Sequence, residues 1–589
     1  MRDKKKTLYF FVYITLGVMC VFILRLWQLQ ILKGDYYREK SIKNRVRIIR
    51  LPAPRGIIYD RKGNALVKNT PYFIVSLIPE LSEEVDVKGL SQLLGVSEEE
   101  IQERINKHDK HSLEPIRLKE GITFKEVSYI EARRSDFPGL IVETDITRTY
   151  PYKETAAHLI GYLSHPAGNR ADMETKGFSR GTFIGQWGVE HLYDDKLRGQ
   201  PGKKYIEVDA LGRQLRTLKV LKPVKGEDIR LSIDLDTQIA AERAFKRRSG
   251  ALLALDPNSG DILAMVSLPS FDPNIFIKGV TEKQWKRLLR NPGHPLLNRV
   301  FQSQYPPGSV FKIITAIAAL QEGIITKNFK VNCTGEIQVG NWRFRCWKKG
   351  GHGIVNLRRA IVESCDVYFY EVGRMLGIDR IAKYAHAFGL GKPTGIRLVS
   401  EKRGLIPTTK WKLEKKGRPW YLGETFNASI GQGYVTVTPA QAAVLISALA
   451  NGGKVFRPKL TLSEAPEIIS RLPLKKEIIK FMNNALTGVI EDPKGTGWRA
   501  RSDKVRIAGK TGTAQVISIS DNMETARRYP KDHAWFVAFA PVEKPSIALS
   551  VFVEHGGHGG KSAAPIARTV IETYLRGNTN EDKGTEVIN

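Results

Sequence analysis

The longest apolar run lies at the amino terminus. Arg2-Asp3-Lys4-Lys5-Lys6 gives way to Thr7-Leu8-Tyr9-Phe10 and on to Leu24, eighteen residues without a charge, followed by Arg25 and Leu26–Leu32. Spanning a bilayer takes about 17–25 mostly apolar residues, and here Arg25 can snorkel while Trp27 suits the interface. A cleavable signal peptide is the rival reading. Its apolar region is shorter, and the small-x-small site it needs does not follow here. The pattern predicts a retained transmembrane helix over residues 7–31, a cytoplasmic tail over 1–6, and an exported body.

Residues 32–228 read as mixed and polar, rich in Lys, Glu and Arg. Pro54-Arg55-Gly56-Ile57-Ile58-Tyr59-Asp60-Arg61 predicts a strand running into a turn at Lys62-Gly63, and residues 91–134 carry acidic helical patterning. No catalytic constellation stands out, which fits a spacer or docking module. The pattern changes near Asp228. Gly250–Leu255 and Ile262–Ser267 flank Asp256-Pro257-Asn258-Ser259-Gly260, two apolar runs about a turn, hence a hairpin. Helices are expected from 309 to about 450, then strands at Ala508–Val516, Ala534–Ala540 and Ile547–Val553. Ile566, Val570 and Tyr574 share one face of a closing amphipathic helix, Ala564–Leu575. This order predicts an α+β domain over 229–576, a sheet with helices on its faces, and a disordered polar tail over 577–589.

Composition narrows the partners. With 589 residues and 42% hydrophobic content the chain is globular and holds more than one domain. Lys and Arg total 92 against 61 acids, a net charge of +31, which suits a polyanion: nucleic acid, an anionic membrane surface or a wall polymer. An exported body argues against nucleic acid. Four cysteines are too few for a disulfide framework at this size.

Three short motifs carry candidate chemistry. Tyr305-Pro306-Pro307-Gly308-Ser309-Val310-Phe311-Lys312 opens a predicted helix. Ser309 and Lys312, at i and i+3, share a face, so the amine can reach the hydroxyl. Serine is a poor nucleophile without a base, and lysine serves as one when burial or a neighbouring cation lowers its pKa. Ser364-Cys365-Asp366 follows the predicted helix at Leu357–Val362. Lys510-Thr511-Gly512-Thr513 opens a predicted strand, where a cation beside hydroxyls can hold a carboxylate and glycine allows close backbone approach. Each motif alone is weak.

Together and in this order they resemble the signature shared by penicillin-binding proteins and class A β-lactamases. Pro54–Arg61, Gly188-Val189-Glu190 with Leu197-Arg198-Gly199, and Glu207-Val208-Asp209-Ala210 with Gly212-Arg213 look like the pedestal of the class B enzymes. The whole chain is similar to class B penicillin-binding proteins of the elongation type. Asp366 stands where many members have asparagine, a substitution common in that type. The resemblance implies a penicilloyl-serine transferase fold in the bacterial inner membrane, with D,D-transpeptidase activity on stem peptides ending in D-Ala-D-Ala. It assigns Ser309 as nucleophile, Lys312 as its base, Ser364 as proton relay with Asp366 holding the loop, and Lys510, Thr511 and Thr513 at the substrate carboxylate. Gly512 lies between the two threonines, and the N–H groups of Ser309 and Thr513 form the oxyanion hole. β-Lactams would trap Ser309, and a multi-pass glycosyltransferase of the rod complex would polymerise the glycan.

Cys333, Cys346, His352 and Cys365 form a C-x12-C-x5-H-x12-C pattern, a donor set suited to tetrahedral structural zinc. A Cys333–Cys346 disulfide and unlinked core cysteines are the alternatives. The resemblance favours zinc, which elongation-type enzymes bind in this region. His555-Gly556-Gly557-His558 and Gly431-Gln432-Gly433 read as turns, the latter flanking the site in the family. Competing functions are a D,D-carboxypeptidase or β-lactamase, and a non-catalytic sensor or scaffold. No E-x-x-L-N segment positions a hydrolytic water, and the intact serine–lysine set argues against a scaffold.

Overall fold

The computed structural model describes residues 2–78, 85–107, 115–133, 136–137, 139–165, 183–208, 214–277, 279–515 and 532–585. Asp209–Arg213 of the pedestal motif, Val516 and residues 586–589 of the expected tail lie outside them. Two compact units form. One comprises Met1–Gly56, Asn69–Thr147 and Arg198–Glu227; the other Ile57–Lys68, Arg148–Leu197 and Asp228–Asn589.

In the first unit, Leu8–Leu32 is helical, has a mean hydropathy of 2.1 and is long and apolar enough to cross a membrane. An antiparallel sheet joins Val46–Leu51, Gly202–Val208 and Gln214–Leu221. Three short helices, Val87–Leu94, Glu98–Asn106 and Phe124–Glu131, each start at a side-chain cap, from Asp86, Ser97 and Thr123. Such caps satisfy backbone N–H groups that a helix start leaves open. Leu90, Leu94, Ile101 and Ile130 from these helices bury against Val75, Leu77, Leu118 and Leu140.

The unit boundaries do not follow the chain position 228. Residues 57–68 and 148–197, expected within a separate pedestal, pack into the second unit: Ile58, Val67, Tyr150, Leu159, Val189 and Leu197 share one core with Ile313 and Phe369. What a buried apolar side chain touches, rather than where it sits in the chain, decides its unit. Glu190 is fixed there by Arg148, whose Nε donates to Oε1 at 2.8 Å, with both side chains out of solvent at 2% and 0% exposure. Removing one partner of a buried pair leaves the other charge uncompensated. Thermal unfolding of Glu190→Ala is expected to show a loss of about 3–5 kcal/mol.

The second unit is built on a five-stranded antiparallel sheet of β1 (Gly250–Leu255), β2 (Ile262–Leu268), β3 (Ala508–Ala514), β4 (His533–Ala540) and β5 (Ile547–Val553), in the order β2-β1-β5-β4-β3. Alternation sends Ala251, Leu253, Val537 and Phe552 to one core, and Leu252, Ala254, Phe536 and Val551 to another. Both faces are therefore covered, which explains why these strands read as continuous apolar runs. Full burial of a side chain such as Leu253 or Phe536 contributes about 1.5–3 kcal/mol. Helices α1 (Leu235–Ala244) and the closing helix pack on the second face, the latter through Ile566, Val570 and Tyr574 as its period predicts. Pro439–Ala450 lies on the first face against β1, β4 and β5.

Two expectations are corrected. The closing helix runs from Ala564 to Thr585, so the stretch from Gly577 to Thr585 is helical rather than disordered. That stretch contains no proline, and each of its two glycines, Gly577 and Gly584, costs a helix only about 1 kcal/mol. The insert, expected to be dominated by helices, also holds two small antiparallel ribbons, Lys330–Cys333 with Gly353–Asn356 and Glu336–Val339 with Trp342–Arg345.

Candidate active site

Ser309 lies on a tight turn, Gly308–Val310, immediately before helix α2 (Lys312–Gln321) rather than within its first α-helical turn. Gly308 has φ +54° and donates its N–H to Gly431 O at 2.9 Å. A Cβ on Gly308 would sit 2.3 Å from Thr513 O, and one on Gly431 would sit 2.3 Å from Gly308 O. The serine turn, the Gly431-Gln432-Gly433 turn and β3 thus meet backbone to backbone, which only glycine permits. Gln432 adds a hydrogen bond from Nε2 to Thr513 O at 3.1 Å. Gly512 is equally constrained: a Cβ there would meet Pro307 O at 2.8 Å and the Trp535 Cβ at 2.9 Å. Close packing brings Ser309, which is half-buried, beside the third motif.

Lys312 is fully buried and its Nζ makes three contacts: Asp366 Oδ1 at 2.8 Å, Ser364 O at 2.9 Å and Ser364 Oγ at 3.3 Å. None of these bonds goes to Ser309, so in this state the amine is engaged by the second motif. Lys510, also fully buried, places Nζ 3.0 Å from Ser364 Oγ and 3.3 Å from Thr511 O. Burial, and then the charge of Lys312, pushes the Lys510 amine well below the usual lysine range, while Asp366 opposes the shift. Two buried amines therefore flank a single hydroxyl, and one of them is paired with a carboxylate. This arrangement can take up and release a proton at Ser364 Oγ without an added charge.

The second motif is held under strain. Ser364 has φ +56°, a conformation uncommon for a residue with a Cβ, and it precedes helix α3 (Asp366–Leu376). Its carbonyl accepts from Lys312 and from the Trp347 indole Nε1 at 3.1 Å, while Asp366 Oδ2 accepts the Trp347 backbone N–H at 2.9 Å. Thr511 shares a hydrogen bond with Thr496 at 2.8 Å between hydroxyl oxygens. Thr513 stays half-buried at the end of β3. The sequence reading missed Trp347, Thr496 and the Lys312–Asp366 pair. Only the pair left a signal: a buried lysine demands an anion, and Asp366 is the acid within the three motifs.

Behind this loop the donor atoms of Cys333, Cys346, His352 and Cys365 all lie within 4.8 Å of one another, and all four residues are buried. His352 turns Nδ1 toward the sulfurs, 3.6 Å from Cys333 Sγ and 3.5 Å from Cys346 Sγ. The three thiols are free, so the Cys333–Cys346 disulfide is not formed in this structure. A hydrogen bond from Cys365 pulls the Cys346 thiol down, and the same contact pushes Cys365 up. Three sulfurs and one imidazole nitrogen converging in a buried shell fit a tetrahedral ion with about 2.3 Å metal–sulfur bonds. His555 lies in a turn after β5, and His558 precedes the short helix Gly559–Ser562.

This geometry can be compared with known proteins. The penicillin binding protein transpeptidase domain matches residues 250–572, and the penicillin-binding protein dimerisation domain matches residues 50–231. The chain is 36% identical to the peptidoglycan D,D-transpeptidase MrdA of Haemophilus influenzae, covering 98% of this chain and 93% of the relative. Among solved structures it is similar to penicillin-binding protein PBP2 of Helicobacter pylori in complex with MreC, with a TM-score of 0.80 and 30% identity over 90% of this chain and 99% of that one. A structure described as coordinating polymerization and crosslinking in a peptidoglycan synthase complex matches with a TM-score of 0.73 and 30% identity, over 96% of this chain and 98% of that one. The three motifs, their convergence on Ser364 and these matches over nearly the whole length have one meaning: the chain belongs to the penicillin-binding protein transpeptidase family.

Proposed function

We propose that this protein is a peptidoglycan D,D-transpeptidase of cell elongation, anchored in the bacterial inner membrane, that works through an acyl-enzyme at Ser309. The observation that carries this reading is the convergence of the Lys312 and Lys510 amines on Ser364 Oγ beside the Ser309 turn, with Asp366 paired to Lys312. Ser309 Oγ attacks the penultimate D-Ala carbonyl carbon and its proton passes to the amine of Lys312. Because Lys312 is paired with Asp366 in the resting state, it must first release a proton, and Ser364 Oγ offers the path toward Lys510. The C–N bond to the terminal D-Ala then breaks, and the departing amine takes a proton through Ser364. The N–H groups of Ser309 and Thr513 stabilise the oxyanion, and Thr511, Thr513 and Lys510 hold the donor carboxylate. An amine of a second stem attacks the ester, forming the crosslink and returning the proton to Ser309.

Polymerisation is assigned to a separate multi-pass glycosyltransferase, and the similarity to a peptidoglycan synthase complex and to a chain solved with MreC supports such assembly. The test reconstitutes the full-length protein with that partner and its lipid-linked substrate and analyses the product by mass spectrometry. Crosslinked stem dimers that vanish in Ser309→Ala are expected. Loss of terminal D-Ala without dimers would instead identify a hydrolase.

The four-residue cage is assigned to structural zinc held by Cys333, Cys346, His352 and Cys365. An ion bound there would supply a structural crosslink among these four residues, not a reactant. Since Cys365 lies between Ser364 and Asp366, and Cys346 precedes Trp347, the cage pins the strained Ser364 loop from behind. Cys365→Ala is expected to retain expression, lose one equivalent of zinc by elemental analysis, and slow penicillin acylation about 10-fold or more. Unchanged acylation with no zinc in either protein would remove this assignment.

A further inference from the structure

The ribbon beside the second motif carries a charge excess that the donor chemistry does not use. Between Lys327 and Gly353 there are six cations and one acid, Glu336. That acid is already taken by Arg343 at 3.4 Å and Arg345 at 3.9 Å. Arg343, Arg345, Trp347, Lys348 and Lys349 are all exposed, Trp347 at 58%. The ribbon is held in place, not loose: Phe344 packs its ring on Tyr370 and Phe426, and the Tyr370 hydroxyl donates to Arg345 O at 3.2 Å. Trp347 joins this surface to the chemistry, because its indole N–H shares the Ser364 carbonyl with Lys312.

We propose that Arg343, Arg345, Trp347, Lys348 and Lys349 form the landing surface for the acceptor, an acidic peptide that bears the attacking amine. The proposal rests on the transpeptidase reading above. In that reading the donor carboxylate is held on the β3 side, by Lys510, Thr511 and Thr513, so the acceptor needs a separate footing next to Ser364. A stem peptide carries carboxylates along its length, which complement this cationic ribbon. The exposed indole offers a flat apolar face for its backbone. Because the cations are solvent-exposed, their attraction acts mainly on encounter and acceptor affinity and fades with salt.

The test uses the full-length protein in detergent, acylated by a thioester donor. The acyl group partitions between water and an amine-bearing acidic peptide, or the same peptide with its carboxylates amidated. For Lys348→Gln with Lys349→Gln, and for Arg343→Gln with Arg345→Gln, kcat/KM for the acidic acceptor is expected to fall about fivefold. The amidated acceptor and the rate of benzylpenicillin acylation should not change, and high salt should erase the preference in the unaltered protein. Equal losses for both acceptors, slowed acylation, or no loss would each overturn the proposal. So would variants that lose binding to anionic vesicles or wall polymer while acceptor kinetics stay intact. Absence of any acyl-enzyme in the unaltered protein would sink the transpeptidase reading itself, and this proposal with it.

Discussion

Acylation of Lys312→Met by benzylpenicillin is expected to be slower by about 10²–10⁴-fold, the usual contribution of a positioned general base. The side chain is fully buried, 2.8 Å from Asp366 and 5.4 Å from the centre of the Phe369 ring, so methionine keeps most of the buried stem and removes the amine. The single change, however, strands the Asp366 carboxylate, and a loss of about 3–5 kcal/mol in stability accompanies it. A double variant separates the two effects. With Lys312→Met and Asp366→Asn together no buried charge is left unpaired, and stability should return while acylation stays slow. Stopped-flow acylation alongside thermal unfolding reads both. Recovery of acylation in the double variant would show that Lys312 serves the fold and not the proton transfer.

Asp366→Asn alone should move the pH profile of acylation toward acid. The carboxylate raises proton affinity in the cluster, as its upward pull on Lys510 shows. Without it Lys510 loses its proton at lower pH, so the rising limb of acylation against pH shifts down. Stability follows the same groups. Lys510 has a folded-state pKa well below its ordinary 10.5, so between those values the unfolded chain binds more protons than the folded one. Stability from this residue therefore rises with pH across that window and is poorest below it. In Asp366→Asn the window extends further toward acid. The measurement is the second-order acylation rate from about pH 5 to 10, with melting curves at the same points. A profile identical to that of the unaltered protein would leave Asp366 a purely structural residue.

Much of the site was legible because its chemistry is compressed into short, ordered motifs. Ser309, Lys312, Ser364 and Lys510 could be singled out by residue type and order, and the structure brings all three motif segments within contact. The sheet was legible for a different reason: strands buried on both faces leave long apolar runs, and Ile566, Val570 and Tyr574 keep helical period. Three features escaped. The ribbons at 330–356 are strands of four residues, too short for alternation to show, and they owe their shape to packing of Phe344 and Val355 and to the cysteine cage. The assignment of 57–68 and 148–197 to the second unit depends on contacts far apart in the chain, such as Val189 with the core around Phe369. Finally, motif spacing put Lys312 opposite Ser309, whereas its hydrogen bonds go to Ser364 and Asp366, because a buried ammonium is drawn to the nearest carboxylate.

Intact mass over time, for the full-length protein mixed with benzylpenicillin, tests the central claim most directly. One penicilloyl group should appear and persist for many minutes, map to the peptide containing Ser309, and be absent from Ser309→Ala. An adduct that forms and clears within seconds would contradict transfer to a second stem and point to hydrolysis. An adduct that survives Ser309→Ala would place the nucleophile elsewhere.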